Sequence, residues 1–138
     1  MKISKEKPPN YETILKHLDV EGQPVVFTYG DTLYNVPDGY TPQEHLLVHE
    51  RIHTKQQAEI GGADIWWEKY LTNNNFRLLQ ELQAYAAQYK FCFDNTRRKI
   101  SDGFLDKIAH DLASEAYGNI ISFNEAQTQI RRLAKTIK

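Results

Sequence analysis

The segment between Pro42 and Gly61 constrains the fold more than any other part of the chain, because it contains no helix breaker. Thr41 and Glu44 have the spacing of a capping box, and Pro42 stands between them at the first helical position. Gly61 supplies the C-terminal cap that a helix of this length needs. The sequence therefore predicts one long helix that starts at Pro42 and carries every residue up to Gly61 on one rigid element.

The rest of the chain predicts further helices and one pair of strands. Turn residues and caps separate these elements, with caps expected at Asn10, Asn75, Ser101 and Ser122. The predicted elements are a helix over Tyr11–Leu18, strands over Val25–Tyr29 and Leu33–Val36, helices over Asp64–Leu71, Phe76–Phe93 and Ser101–Ala113, and a terminal helix from Ser122. The fold class is therefore α+β, mostly α, with a small N-terminal β-hairpin or sheet. Residues 1–138 form a single domain in which 1–9 are an extended lead-in.

Composition excludes several classes of function. Lysine and arginine total 17 against 18 acidic residues, so we expect no nucleic-acid partner. No apolar run approaches the roughly 18 residues of a spanning helix, and the polar N-terminus does not resemble a signal peptide, so we expect no membrane association. The single cysteine, Cys92, cannot form an internal disulfide, which favours a cytoplasmic location.

The long helix contains the sequence His49-Glu50-Arg51-Ile52-His53. Two histidines four residues apart project from one helix face, with Cβ atoms about 6 Å apart, and can bind one metal ion together. Glu50 lies about 100° further round the helix, where it can accept a proton from a water on that ion. This spacing predicts a zinc site with His49 and His53 as ligands and Glu50 as general base.

A catalytic zinc ion needs a third protein ligand. Glu59 lies six positions after His53, which is the spacing of the third ligand in the metzincin pattern. That pattern also needs a glycine three residues after the second histidine to turn the chain, and this chain has Gln56 there. Glu81 is the better candidate, because it lies midway along a predicted helix that can return and pack against the first. Asp64 and Glu68 remain alternatives.

These residues resemble the zincin metallopeptidases, in particular the gluzincin branch, whose third ligand is glutamate. The segment from His49 to Gln57 is also similar to the corresponding part of small, uncharacterised zincin-like proteins of bacteria and phages. The resemblance covers roughly residues 24–90. It implies zinc on His49, His53 and Glu81, with Glu50 as general base and later proton donor. It further implies that one predicted strand is an edge to which an extended peptide substrate can be added.

The chain departs from the gluzincin pattern at one position. Many gluzincins carry an aspartate four residues after the ligand glutamate, where it orients a zinc histidine, and this chain has Tyr85 there. We therefore make no prediction of which side chain orients the zinc histidines. Tyr85 becomes the first candidate for the donor that stabilises the oxyanion, ahead of Tyr117 and His110. His45, one turn before His49, is interpreted as a residue that lines the cleft or the surface.

The expected function is a zinc-dependent metallohydrolase, a peptidase that acts on a peptide or protein substrate through a zinc-bound water activated by Glu50. Two alternatives belong to other classes of protein. One is a non-catalytic module that zinc holds together for assembly, for example in a phage particle or a regulatory complex. The other is a metal-free helical interaction domain. The sequence makes no prediction of the oligomeric state.

Overall fold

The computed structural model describes residues 1–138, and its six α-helices and one small sheet confirm the α+β, mostly α fold class. The strands are β1 (Lys2–Ile3), β2 (Phe27–Tyr29) and β3 (Thr32–Tyr34). The helices are α1 (Tyr11–His17), α2 (Glu44–Ile60), α3 (Ala63–Thr72), α4 (Asn74–Asn95), α5 (Arg98–Leu112) and α6 (Phe123–Ala134), with a 3-10 turn at Glu115–Tyr117 between α5 and α6. None of these helices combines the length and the apolar character needed to cross a bilayer.

The sheet has the strand order β1-β3-β2, with β1 parallel and β2 antiparallel to β3. The lead-in is therefore more than an extended approach, because Lys2 and Ile3 form a strand that pairs with the second edge of β3. The sequence does not indicate this pairing, since β1 is too short and too polar to have a periodic signal. The central place of β3 also removes it as an edge for a substrate and leaves β2 as the edge nearest α2.

Helix α2 ends as predicted and begins later than predicted. Gly61 takes a left-handed conformation with φ 109° and caps the helix, so the predicted end is confirmed. The capping box was wrong, because α2 begins at Glu44 with Gln43 as its N-cap and no side-chain cap. Pro42 thus precedes the helix.

The other predicted caps have mixed outcomes. Ser122 caps α6 as predicted, accepting a hydrogen bond from the Glu125 N–H. Asn73 caps α4 in place of Asn75, since three consecutive asparagines offer the same chemistry. Asn10 occupies the predicted N-cap position of α1, but its side chain makes no capping hydrogen bond. The predicted cap at Ser101 was wrong, because this residue is buried within α5.

The core consists of two apolar clusters, and α2 contacts both. One cluster is formed by α4, α5 and α6, and the other by α1, β2 and α3 with the segment around Val20. Helix α2 packs on α4 from the first cluster and on α3 and β2 from the second. All of its buried residues are polar, and they are His49, Glu50, His53, Gln56 and Gln57. An unsatisfied buried polar group costs about 1–3 kcal/mol, so this face must find partners on the neighbouring elements.

Candidate metal centre

Helices α2 and α4 bring His49, His53 and Glu81 together in the interior. The Oε1 atom of Glu81 lies 3.1 Å from Nε2 of His49 and 3.3 Å from Nε2 of His53, and the two Nε2 atoms are 3.2 Å apart. The three residues are only 3–5% exposed. They are also the one group of histidine, cysteine and acidic residues whose donor atoms converge closely enough to hold a metal ion.

Both imidazoles are oriented by glutamine side chains. Nδ1 of His49 lies 2.9 Å from Oε1 of Gln88, and Nδ1 of His53 lies 2.9 Å from Oε1 of Gln56. An amide oxygen only accepts hydrogen bonds, so each Nδ1 carries the hydrogen. The Gln56 amide is fixed in turn, because its NH2 group donates to the Gln80 carbonyl. In the neutral rings each Nε2 therefore presents a lone pair toward Glu81.

The resulting set of acceptors has the dimensions of a metal site. Zinc binds histidine nitrogen and carboxylate oxygen at about 2.0–2.1 Å, which makes the edge of its coordination tetrahedron about 3.3–3.4 Å long. The three edges here measure 3.1, 3.2 and 3.3 Å. Three lone pairs at this separation repel one another unless a cation or a proton lies between them, so the residues fit a divalent ion.

The second oxygen of Glu81 has its own partner. The Tyr70 hydroxyl on α3 donates to Oε2 at 2.5 Å, which leaves Oε1 to face the histidines. Burial opposes the charge on Glu81, but His53 and His49 more than offset this and hold the pKa of the carboxyl well below its usual range. Burial and the Glu81 charge raise the pKa of Tyr70, so its hydroxyl remains a donor. One carboxylate thus bridges Tyr70 and the two histidines.

Glu50 lies beside the three donor atoms without belonging to them. It is buried, and its Oε2 accepts a hydrogen bond of 2.6 Å from the Thr28 hydroxyl on β2. Strand β2 is held against the helices because the Thr28 carbonyl accepts from Gln57 at 2.8 Å and from Trp67 at 3.0 Å. The edge strand therefore orients Glu50.

An open cavity of about 450 Å³ gives access to these residues. Tyr85 and Tyr117 line it, and their hydroxyl oxygens lie 2.7 Å apart. The Tyr85 ring also packs edge-on against His49, with 4.4 Å between ring centroids. Burial raises the pKa of both phenols well above the usual range, so both keep their protons. One hydroxyl of the pair can donate to the other while the second keeps a hydrogen for a ligand.

The other residues considered from the sequence do not belong to the group of metal-donor atoms. His110 is exposed and stacks on Phe123, away from the cavity. His45 lines the cavity but bonds to two glutamines rather than joining the donor group. The alternatives Asp64 and Glu68 are exposed and outside the donor group, as is Glu59, which the metzincin pattern had already failed to support.

Sequence reasoning missed the residues that support the donor atoms. Gln56 follows His53 by three positions and Gln88 follows Glu81 by seven, so each lies on the same helix face as the ligand candidate before it. That periodicity was a usable signal for the glutamines. Thr28 and Tyr70 come from other elements, and no local pattern indicates them.

The charge of His53 predicts how the metal-free protein responds to pH. Burial lowers the pKa of His53, but Glu81 outweighs this and raises it from 6.5 to about 9. A raised pKa in the folded state stabilises the fold fully below pH 6.5, and this contribution is lost as the pH rises through about 9. We therefore expect the free energy of unfolding of the chelator-treated protein to fall from pH 6.5 to pH 9, measured by urea titration.

The control for this prediction is His53→Ala, since a variant without the titrating ring should lose that decline. His17→Ala removes an exposed histidine instead and should retain it. A decline of equal size in wild type and His53→Ala would contradict the assignment of the proton to His53.

Comparison with protein-family models, curated proteins and solved structures gave no match for this chain.

Proposed function

We propose that this protein is a zinc-dependent hydrolase of the zincin type that cleaves peptide bonds. The observation that carries the proposal is the triangle of buried acceptor atoms from His49, His53 and Glu81, with the Glu50 carboxylate beside it and an open cavity in front. Two imidazoles and one carboxylate are a ligand set of catalytic zinc sites, which keep one position for water or substrate.

A purely structural zinc site fits these residues less well. Structural sites are closed by four protein ligands, often thiolates, whereas only three donor atoms converge here and Cys92 is not among them. The other buried carboxylate, Glu50, accepts a hydrogen bond from Thr28 and is not part of the converging group. A hydrolase needs a general base beside a metal ion that has an open coordination position, whereas a structural site needs neither.

Each surrounding residue has a chemical role in this proposal. Zinc at the triangle would lower the pKa of a coordinated water and polarise the carbonyl of the substrate. Glu50, held by the Thr28 hydroxyl, accepts the proton of the attacking water and passes it to the leaving amine. The Tyr85–Tyr117 hydroxyl pair donates a hydrogen bond to the oxyanion that develops on the attacked carbonyl.

The cavity restricts where a peptide can lie. The Thr28 carbonyl already accepts two hydrogen bonds from helix side chains, so this part of the β2 edge cannot pair with a substrate strand. The chain just before it, from Pro24 to Phe27, lines the cavity. We therefore place an extended substrate alongside Pro24–Phe27, with its scissile bond toward Glu50.

The test combines metal analysis with a general peptidase assay. We expect protein purified without added metal to contain about one zinc ion per chain and to cleave a mixed-sequence peptide library read by mass spectrometry. 1,10-Phenanthroline should stop cleavage, and added zinc should restore it. Absence of metal even after zinc is supplied would favour the metal-free interaction domain, and stoichiometric zinc without cleavage would favour the non-catalytic module.

A further inference from the structure

His45 is the one histidine of α2 that does not belong to the group formed by His49, His53 and Glu81. Both nitrogens of its ring are nevertheless hydrogen-bonded. Its Nε2 lies 2.6 Å from Oε1 of Gln43, and its Nδ1 lies 2.9 Å from Nε2 of Gln88. Gln88 is 4% exposed and uses its other amide atom, Oε1, for His49. A continuous chain of hydrogen bonds therefore runs from the half-buried start of α2 to the metal-ligand candidate His49.

With the amide oxygens placed as they are, the donors and acceptors along this chain run in one direction. The Gln43 oxygen accepts, so Nε2 of His45 carries a hydrogen and its Nδ1 presents a lone pair in the neutral ring. That lone pair accepts from the Gln88 amide, which turns the amide oxygen toward His49. Burial, with help from Lys107, lowers the pKa of His45 and keeps the ring neutral.

The orientation of the Gln88 amide decides which nitrogen of His49 is available. With Oε1 toward His49, the ring carries its hydrogen on Nδ1 and keeps the Nε2 lone pair for a metal ion. Rotated by half a turn, the amide would present NH2 to Nδ1 and would favour a hydrogen on Nε2, directed at Glu81. In that alternative the Nε2–H of His49 donates to Glu81, which satisfies both groups when no metal is bound but leaves Nε2 unable to bind a metal ion. A contact on the far side of Gln88 must therefore disfavour it.

We infer that His45 and Gln88 are positioning residues that hold His49 in its metal-binding tautomer. This inference rests on the metal site of the proposed function. Without the His45 ring, nothing on the outer side of Gln88 opposes rotation of the amide. His45 otherwise packs edge-on against Phe104, with ring centroids 5.0 Å apart, a contact that an aromatic substitute can retain.

The test is a double-mutant cycle with zinc affinity as the readout. His45→Phe keeps an aromatic ring against Phe104 and removes both hydrogen bonds. Gln88→Glu replaces the amide with two acceptor oxygens, so that rotation no longer changes what His49 meets. Zinc affinity is measured at neutral pH by competition with a chromophoric chelator, and His110→Phe, at an exposed histidine of α5, is the matched control.

We expect His45→Phe to weaken zinc binding about tenfold in the wild-type background, as loss of a residue that orients a metal ligand does. In the Gln88→Glu background the same substitution should have no effect, and His110→Phe should have none in either. Equal weakening in both backgrounds, or none in the wild type, would overturn the inference. A merely structural role of His45 would give the equal weakening.

A second measurement separates this inference from the proposed function. Nitrogen-15 NMR of the metal-free wild type reports the tautomer of each histidine without any metal. We expect the hydrogen on Nδ1 of His49 and on Nε2 of His45, and the reverse pattern on both would overturn the inference. Failure of the wild type to bind zinc, combined with the expected tautomers, would reject the metal site and leave the positioning of His49 supported.

Discussion

Glu81→Ala is expected to leave the protein without zinc after purification. The variant removes one of three donor atoms and the negative charge that faces both histidines at 3.1 and 3.3 Å. A cost of the size of a broken buried ion pair, about 3–5 kcal/mol, corresponds to a loss of zinc affinity of roughly 10²- to 10⁴-fold. The measurements are elemental analysis of the purified variant and chelator competition with added zinc.

Glu68→Ala is the matched control for this prediction, because it removes an exposed glutamate from α3 and should keep zinc at the wild-type level. Circular dichroism should show that both variants remain helical. Retention of zinc by Glu81→Ala with wild-type affinity would mean that Glu81 is not the third ligand.

Glu50→Gln is expected to keep its zinc and lose peptide cleavage. The amide is nearly the same size as the carboxylate, and its oxygen can still accept the hydrogen bond from Thr28, so the local fold is preserved. An amide cannot take a proton from water, and loss of a positioned general base lowers turnover by about 10²–10⁴-fold. The assay is initial-rate cleavage of whichever library peptide the wild type cuts fastest.

Glu59→Gln makes the same chemical change at an exposed position further along α2 and should leave turnover unchanged. Two outcomes would count against the proposed role of Glu50. Unchanged cleavage by Glu50→Gln would exclude it as the base, and loss of zinc from that variant would show that it belongs to the ligand set.

The helical part of the fold was accessible from the sequence because helix signals are local. The end of α2 at Gly61 and the start of α6 at Ser122 follow from residues that act on their own backbone neighbours. Strand β1 was missed for the opposite reason. Lys2 and Ile3 form a strand only because β3 presents a free edge to them, and that edge exists only in the folded protein.

The residues of the candidate site divide in the same way, into those that local spacing indicates and those that depend on how the elements pack. The spacing of His49 and His53 places both rings on one face of a helix, since four residues are little more than one turn. The sequence could therefore determine that pair, and Glu50 beside it, without any knowledge of the fold. The assignment of Glu81 needed the expectation that a second helix returns against the first, and the packing of α4 on α2 brings its carboxylate to the two rings.

What only the tertiary structure decided is the environment that makes these residues a coherent site. Thr28 reaches Glu50 from a strand 22 positions earlier, Tyr70 reaches Glu81 from α3, and Gln88 reaches His49 from α4. Such contacts depend on how elements pack and not on which residues are neighbours along the chain. The amino-acid sequence determined the helix and the chemistry of its polar face, whereas packing chose the partners, because buried polar groups must be satisfied by whatever the surrounding elements present.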